Sequence, residues 1–165
     1  MAEVCAFTGH RPYKLGGYGE PAIRTLNAFA NQVVRRLVDP KTDRGISGMA
    51  LGWDMAVANA LHRSGCRWTA AIPFEGQASD WPTMARNEHT RLCASAPDVQ
   101  WVCGPGYAAW KMQRRNVWMV DGCTKLIALW DGSDGGTANC VRYARARGKP
   151  IINVWDEWVR FRATV

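Results

Sequence analysis

The residues best suited to chemistry lie in one glycine-containing stretch, Ser133-Asp134-Gly135-Gly136-Thr137. The apolar run of residues 126–130 precedes it, and a helix-compatible segment follows at once. Adjacent glycines allow positive φ angles and let a ligand approach the backbone closely. The first N–H groups of a helix favour an anion such as phosphate. This pattern predicts a phosphate-binding turn. The alternative is a structural turn in which Asp134 or Thr137 caps the helix.

A second group of candidates follows the first predicted strand, at residues 3–8. Gly9, His10 and Arg11 open a long polar and glycine-rich loop directly after that strand. In open α/β sheets, ligands bind outside the carboxyl ends of the strands. We therefore expect these three residues to contact a ligand, with a structural surface loop as the alternative.

A third group lies in a turn that begins at Gly48 and reaches Asp54 in the first turn of the next predicted helix. Asp54 could cap that helix, accept ribose hydroxyl groups or position a water molecule. Trp53, beside it, offers an aromatic ring that could stack on a base.

Cations and an aromatic ring share one side of a later predicted helix. Lys111, Arg114, Arg115 and Trp118 follow i, i+3, i+4, i+7 spacing. Such a face could bind a nucleotide through charge and stacking. The alternative is a solvated charged surface.

Apolar runs and helical periodicities alternate along the chain and predict the elements that position these candidates. We expect strands at residues 3–8, 44–48, 67–72, 99–103, 124–130 and 150–155. Helices are expected at residues 21–38, 55–64, 82–94, 107–120 and 136–147. This alternation predicts one domain, residues 1–165, with a parallel sheet covered by helices on both faces.

Composition narrows the classes of partner. The formal charge is +7, and sixteen of the 21 cationic residues are arginine, which binds phosphate and stacks on bases. This favours a nucleotide or a nucleic acid, with a solvated basic surface as the alternative. Six cysteines without CxxC spacing favour free thiols in the cytoplasm and no metal site. No run of 18 apolar residues occurs, so no membrane partner is expected.

Four motifs in order resemble the SLOG superfamily, and most closely its YpsA-like branch, also called DUF1273. They are Phe7-Thr-Gly-His-Arg-Pro12, Gly48-Met-Ala-Leu-Gly-Trp-Asp54, Arg115-Asn-Val-Trp-Met-Val-Asp121, and Trp130-Asp-Gly with Gly135-Gly-Thr137. The superfamily includes LOG-type phosphoribohydrolases and the DNA-processing protein DprA. The resemblance implies a Rossmann-like three-layer α/β fold with a mainly parallel sheet of about six strands.

The resemblance also implies a pocket for a nucleotide or nucleotide-derived molecule over the strand ends, with no cofactor. The expected ligand-binding residues are Gly9, His10, Arg11, Gly48, Trp53, Asp54, Arg115, Asn116, Asp131, Gly135, Gly136 and Thr137. The leading hypothesis is a cytoplasmic module that senses or sequesters such a molecule. Single-stranded DNA binding of the DprA kind is an alternative, and the sequence is compatible with a homo-oligomer.

A second alternative is N-glycosidic hydrolysis of a nucleoside monophosphate. The enzymatic branch carries the pattern PGGxGTxxE, but Cys140 occupies the position of its glutamate here. Another carboxylate would then have to act near the anomeric carbon. Asp54 and Glu75 are the catalytic candidates, together with Glu88, and His10 could carry a proton.

Overall fold

The strands and helices alternate along the whole of residues 2–165, which the computed structural model describes. The strands are β1 (Val4–Gly9), β2 (Arg44–Ser47), β3 (Arg67–Ile72), β4 (Asp98–Trp101), β5 (Lys125–Leu129) and β6 (Ile151–Asn153). The helices are α1 (Glu20–Leu37), α2 (Trp53–Ser64), α3 (Thr83–Ser95), α4 (Ala109–Asp121), α5 (Gly136–Ala146) and α6 (Trp155–Ala163). A short 3₁₀ helix, Pro12–Lys14, follows β1.

The six strands form one sheet in the order β4-β3-β2-β1-β5-β6. Every neighbouring pair is parallel, so the expectation of a mainly parallel sheet is confirmed and extended. The central strands read as apolar runs because both of their faces are covered. In β1, Phe7 packs into one apolar layer and Ala6 into the other.

The two apolar layers lie on opposite faces of the sheet and give the three-layer α/β architecture that the sequence predicts. One layer holds buried side chains of α1, α2, α3 and α6, including Phe29, Trp53 and Trp158. The other holds side chains of α4 and α5, including Met119 and Val141.

The end of the chain differs from the sequence expectation. The last strand stops at Asn153 instead of residue 155, and Trp155 begins α6, a helix that we did not predict. Trp158 is the fully buried side chain of α6, while Trp155 and Phe161 are partly buried and pack against the same apolar layer. The edge strand β4 likewise ends at Trp101, two residues early, opposite Ile72, the last residue of its partner β3.

The sheet order reverses between β1 and β5. The chain leaves β1 toward α1 on one face and leaves β5 toward α5 on the other face. The two loops therefore diverge and open a crevice beyond the strand ends, where ligands of such sheets bind. Three of the candidate stretches lie at this end of the sheet, after β1, β2 and β5.

Candidate functional site

A cavity of about 420 Å³ lies at the switch point between β1 and β5. This volume is in the range of small-molecule sites. The cavity is formed by the loops after β1 and β5, the N-terminal ends of α2 and α5, and the first half of α4. It brings together nine of the twelve predicted ligand-binding residues: Gly9, His10, Arg11, Asp54, Arg115, Asn116, Gly135, Gly136 and Thr137.

The glycine turn forms the N-terminus of α5 at one wall of the cavity. Gly135 is the residue that caps this helix, and no side chain hydrogen bonds to the cap. The Asp134 carboxylate instead accepts a hydrogen bond of 2.6 Å from Arg142. The capping role considered for Asp134 or Thr137 is therefore absent. The first N–H groups of α5 and its positive dipole end face a ligand space.

The glycine requirement of this turn rests on Gly135. Its φ of 141° and ψ of −165° fall in a region that is almost exclusive to glycine. Gly136 has no positive φ, and a Cβ atom there would meet nothing within 4 Å. A side chain at Gly136 would therefore not strain the turn. A side chain there would still project at the cavity wall, since Gly136 lines it.

Asp54 is a buried carboxylate with an incomplete set of hydrogen bonds. Its Oδ2 accepts a bond of 3.3 Å from the Ala50 N–H, while the buried Oδ1 has no partner among residues 2–165. Burial raises the pKa of Asp54 to about 6, although the nearby charge of Arg115 opposes the shift. Ser47 fixes the start of α2 by donating to the Asp54 carbonyl at 2.7 Å.

Arg115 is buried beside this carboxylate and lines the cavity. Its Nε donates to Asn116 Oδ1 at 3.0 Å, and one terminal N–H donates to the Gly48 carbonyl. Burial lowers the pKa of Arg115, while the Asp54 charge opposes that shift. A Cβ atom at Gly48 would lie 2.7 Å from the guanidinium carbon. Gly48 therefore supports Arg115 but does not itself line the cavity.

His10 and Asp131 form a polar network at the other side of the cavity. His10 Nε2 lies 2.9 Å from Asp131 Oδ1, and the Asp131 backbone N–H donates to the same Nε2 at 3.0 Å. Ser133 donates its hydroxyl and its N–H to the same Oδ1, and Lys14 donates to Oδ2 at 3.4 Å and to Ser133 Oγ.

The pKa values of both Asp131 and His10 are shifted. The hydrogen bonds from Ser133 hold the pKa of Asp131 well below its usual value. Burial lowers the pKa of His10, and the Asp131 charge opposes this shift. Asp131 does not line the cavity, so it acts through His10, Lys14 and Ser133, which do.

Three predicted candidates, Trp53, Glu75 and Glu88, lie away from the cavity. Trp53 is fully buried in the core, and a Cβ atom at Gly9 would come within 2.3 Å of its ring, so Trp53 cannot stack on a ligand. Glu75 is exposed and does not line the cavity, so the geometry gives no support to its predicted catalytic role. Glu88 borders a different, apolar groove and pairs with Arg91.

The charged face predicted on α4 is divided by the fold. Of its four residues, only Arg115 lines the cavity; Trp118 is half-buried elsewhere, and Lys111 binds backbone carbonyl groups. Cavity residues that sequence reasoning missed include Tyr13, Lys14, Tyr107, Gln113 and Asn139. The position of Tyr13 and Lys14, a few residues after β1, was the available signal.

The described residues contain no group of three or more His, Cys, Asp or Glu side chains that could hold a metal ion. All six cysteines are free thiols. Across residues 2–165, no helix is both long enough and apolar enough to cross a membrane.

Comparison with known families identifies the family of the chain. The YpsA model, described as the YspA SLOG family, matches residues 5–149. The chain belongs to this SLOG family. The match includes every predicted ligand-binding residue. A curated relative is the uncharacterized SPbeta prophage-derived protein YoqJ of Bacillus subtilis (strain 168). It is 31% identical over 142 residues, which span 76% of this chain and 83% of YoqJ.

Solved structures share the fold of this SLOG protein at low identity. The structure of TM1055 has a TM-score of 0.59 at 13% identity, over 90% of this chain and 72% of that one. DprA from Streptococcus pneumoniae gives 0.64 at 17% identity, over 89% of this chain and 48% of DprA. DprA from Helicobacter pylori was solved for its single-stranded DNA binding mode. It has a TM-score of 0.61 at 14% identity, over 90% of this chain and 63% of that one.

Proposed function

We propose that this protein is a cytoplasmic module that binds a nucleotide or a nucleotide-derived small molecule, in order to sense or sequester it. The observation that carries the proposal is the convergence of two different features in one cavity. One is the uncapped N-terminus of α5 with its glycine turn, and the other is the Asp54 carboxyl with an unpartnered oxygen. A phosphorylated sugar would satisfy both.

The phosphate would bind at Gly135, Gly136 and Thr137, where helix N–H groups and the dipole favour an anion. Arg11 is exposed at the same cavity, and its guanidinium could add a charge-assisted hydrogen bond. Such a bond contributes about 1.5–3 kcal/mol.

The sugar would bind at Asp54. A buried acceptor without a partner costs free energy in the ligand-free protein, and a ligand hydroxyl that donates to it removes that cost. Arg115 and Asn116 line the cavity next to this carboxyl. Hydroxyl groups of a ribose match this combination of acceptor and donors.

The direct test is mass spectrometry of small molecules that co-purify with the protein, followed by calorimetric titration with nucleoside mono- and diphosphates. Gly136→Val should abolish binding and leave the far-UV dichroism unchanged. Gly19→Val is a matched control, because Gly19 is the N-cap residue of α1 outside the cavity and a Cβ atom there has ordinary contacts. Binding that survives Gly136→Val at full affinity would contradict a phosphate at this turn.

Hydrolysis of the N-glycosidic bond is the second candidate, because one observation favours it. The pKa of Asp54, raised to about 6, suits a general acid or base near neutral pH. Cys140, at the position of the enzymatic glutamate, is fully buried, and burial raises its thiol pKa to about 12. It cannot replace a carboxylate, so we expect binding without efficient cleavage.

Chromatography of free base after incubation with ribo- and deoxyribonucleoside monophosphates separates these two functions. We expect no base release above the uncatalysed background. Release at roughly 1 per second or faster, the range of typical enzymes, would establish the hydrolase if Asp54→Asn abolished it. DprA-like binding of single-stranded DNA is the third candidate, because the chain shares its fold with DprA.

A further inference from the structure

An exposed tyrosine stands at the entrance of the cavity. Tyr107 lies between β4 and α4; it lines the cavity, yet 74% of its surface is exposed. At this exposure, at least one face of its ring is open to solvent. A flat aromatic ring beside a polar cavity offers a stacking surface for another planar ring.

The segment that carries Tyr107 is held in place by several contacts. Lys111 Nζ donates to three successive carbonyl groups, those of Gly104, Pro105 and Gly106, at 3.0, 2.8 and 2.7 Å. The Gly106 N–H donates to the Glu75 carbonyl at 3.3 Å, which anchors the segment to the loop after β3. These bonds order a segment that lies outside any helix or strand.

The Tyr107 ring itself rests against a buried neighbour. Its centroid lies 5.8 Å from that of Phe74, with the two planes at 85°. Phe74 lies in the loop after β3 and is almost fully buried. A ring that is already oriented loses little conformational freedom when a ligand stacks on it, and this favours binding.

We propose that Tyr107 is the residue that stacks on the planar base of the ligand, and that Lys111 is a positioning residue that orders it. This inference rests on the proposed function, because it adds the base to the phosphate and sugar positions. Tyr107 thus takes the stacking role that was expected of Trp53, which is buried, or Trp118, which does not line the cavity. The ligand class is then a nucleotide with an intact base, and a sugar phosphate alone would bind less tightly.

The test compares Tyr107→Ala with Tyr107→Phe in the full chain, using adenosine, guanosine, cytidine and uridine 5′-monophosphates and ribose 5-phosphate as probes. Calorimetry measures the nucleotides, and ligand-observed NMR measures the weaker sugar phosphate. For Tyr107→Ala we expect a loss of nucleotide affinity of roughly 5- to 150-fold, which corresponds to about 1–3 kcal/mol per stacked base. Ribose 5-phosphate affinity should stay unchanged, and Tyr107→Phe should retain nucleotide binding.

Trp101→Ala is the matched control, because Trp101 is an exposed aromatic residue of the neighbouring β4 that does not line the cavity. It should bind both kinds of probe as the wild type does. Nucleotide affinity that is unchanged in Tyr107→Ala would overturn this inference and leave the proposed function standing. Equal losses for ribose 5-phosphate and nucleotides would also overturn it. Failure of the wild-type protein to bind any nucleotide would overturn both proposals.

A double-mutant cycle tests the positioning role of Lys111. Lys111→Met keeps a long side chain and removes the three hydrogen bonds to residues 104–106. It should weaken nucleotide binding in the wild-type background and have no further effect in Tyr107→Ala, since coupled residues are not additive. An additive loss would mean that Lys111 acts on the ligand by another route and would overturn this role.

Discussion

Asp54 shows how a single side chain can connect folding to ligand binding. Its carboxyl group is buried at the cavity, and one of its oxygens has no partner within residues 2–165. Burial disfavours the charged form, so the folded state holds the proton to a higher pH than the unfolded chain does. The folded protein therefore loses stability when this group ionises.

The consequence is a pH dependence of stability with a definite sign. The pKa of Asp54 is raised from 3.8 to about 6, so the folded state binds more protons between these values and the free energy of unfolding falls as pH rises through them. Asp54→Asn lacks this titration. The free energy of unfolding of the variant, relative to that of the wild type, should rise by about 3 kcal/mol between roughly pH 3.5 and pH 7. Urea denaturation at several pH values measures this. A difference between the two proteins that does not change with pH would contradict the raised pKa.

Two adjacent glycines allow a second prediction at the residue scale. Gly135→Ala forces a Cβ atom onto a backbone at φ 141°, so it should lower the free energy of unfolding by about 1–3 kcal/mol. Gly136→Ala meets no neighbour and has no positive φ, so it should leave the stability unchanged or raise it by about 0.4–1 kcal/mol. Thermal and chemical denaturation of both variants decides this. Equal destabilisation by the two substitutions would mean that the turn conformation differs from the one described here.

At the scale of elements, α6 is the helix that supports the site, and it was not expected from the sequence. Trp158 of α6 is fully buried against Phe29, with ring centroids 5.3 Å apart. Trp155 meets His10 edge-on at 5.7 Å. The helix thus packs on the core and supports a residue of the cavity.

The prediction for this element is a large loss of stability from one core substitution. Trp158→Ala should lower the free energy of unfolding by about 3–5 kcal/mol, the usual cost of removing a buried aromatic ring. Val159→Ala is the control on the same helix; Val159 is exposed, so its effect should stay within about 0.5 kcal/mol. Urea denaturation compares the two variants. Similar midpoints for the two variants would show that α6 contributes little to the fold.

Strands β1, β3 and β5 could be predicted because each is a largely apolar run that ends at a glycine, proline or polar turn. The bounds of β3 agree with the expectation, since Arg67 and Pro73 delimit it in the sequence. The start of α6 at Trp155 could not be predicted, because residues 150–155 are rich in β-branched and aromatic side chains and favour a strand by local propensity alone. Its packing on Phe29 is a tertiary contact that local reasoning does not contain.

At the scale of the whole molecule, the site residues also divide into those that the sequence could predict and those that it could not. Parallel strands bring their carboxyl ends to one edge, so Gly9, His10 and Gly136 could be placed together from the order of elements. The burial of Trp53 under Gly9 and the exposure of Tyr107 could not, because each depends on which side chains fill the space between elements. Sequence patterns locate the loops of a site, and packing decides which of their side chains reach the ligand.

Charge, finally, separates a nucleotide-binding cavity from a nucleic-acid-binding surface. The net charge is +7, but many exposed arginines are paired with carboxylates at scattered places on the surface. These arginines are Arg24, Arg36, Arg44, Arg67, Arg91, Arg142 and Arg147. Binding of single-stranded nucleic acid needs a continuous basic groove with stacking platforms, whereas a mononucleotide needs only the cavity.

We therefore expect a single-stranded oligodeoxynucleotide to leave the binding of a nucleoside monophosphate unaffected at about 0.15 M salt, where exposed charges more than roughly 8 Å apart are screened. Any binding of the oligonucleotide should fall steeply as salt increases, since it depends on released counterions. Alanine substitution of both Arg44 and Arg67 should leave mononucleotide binding unchanged, because neither residue lines the cavity. Competition calorimetry over a salt series measures both ligands. Displacement of the mononucleotide by the oligonucleotide, with both lost in Gly136→Val, would place nucleic acid in the cavity and favour the DprA-like function.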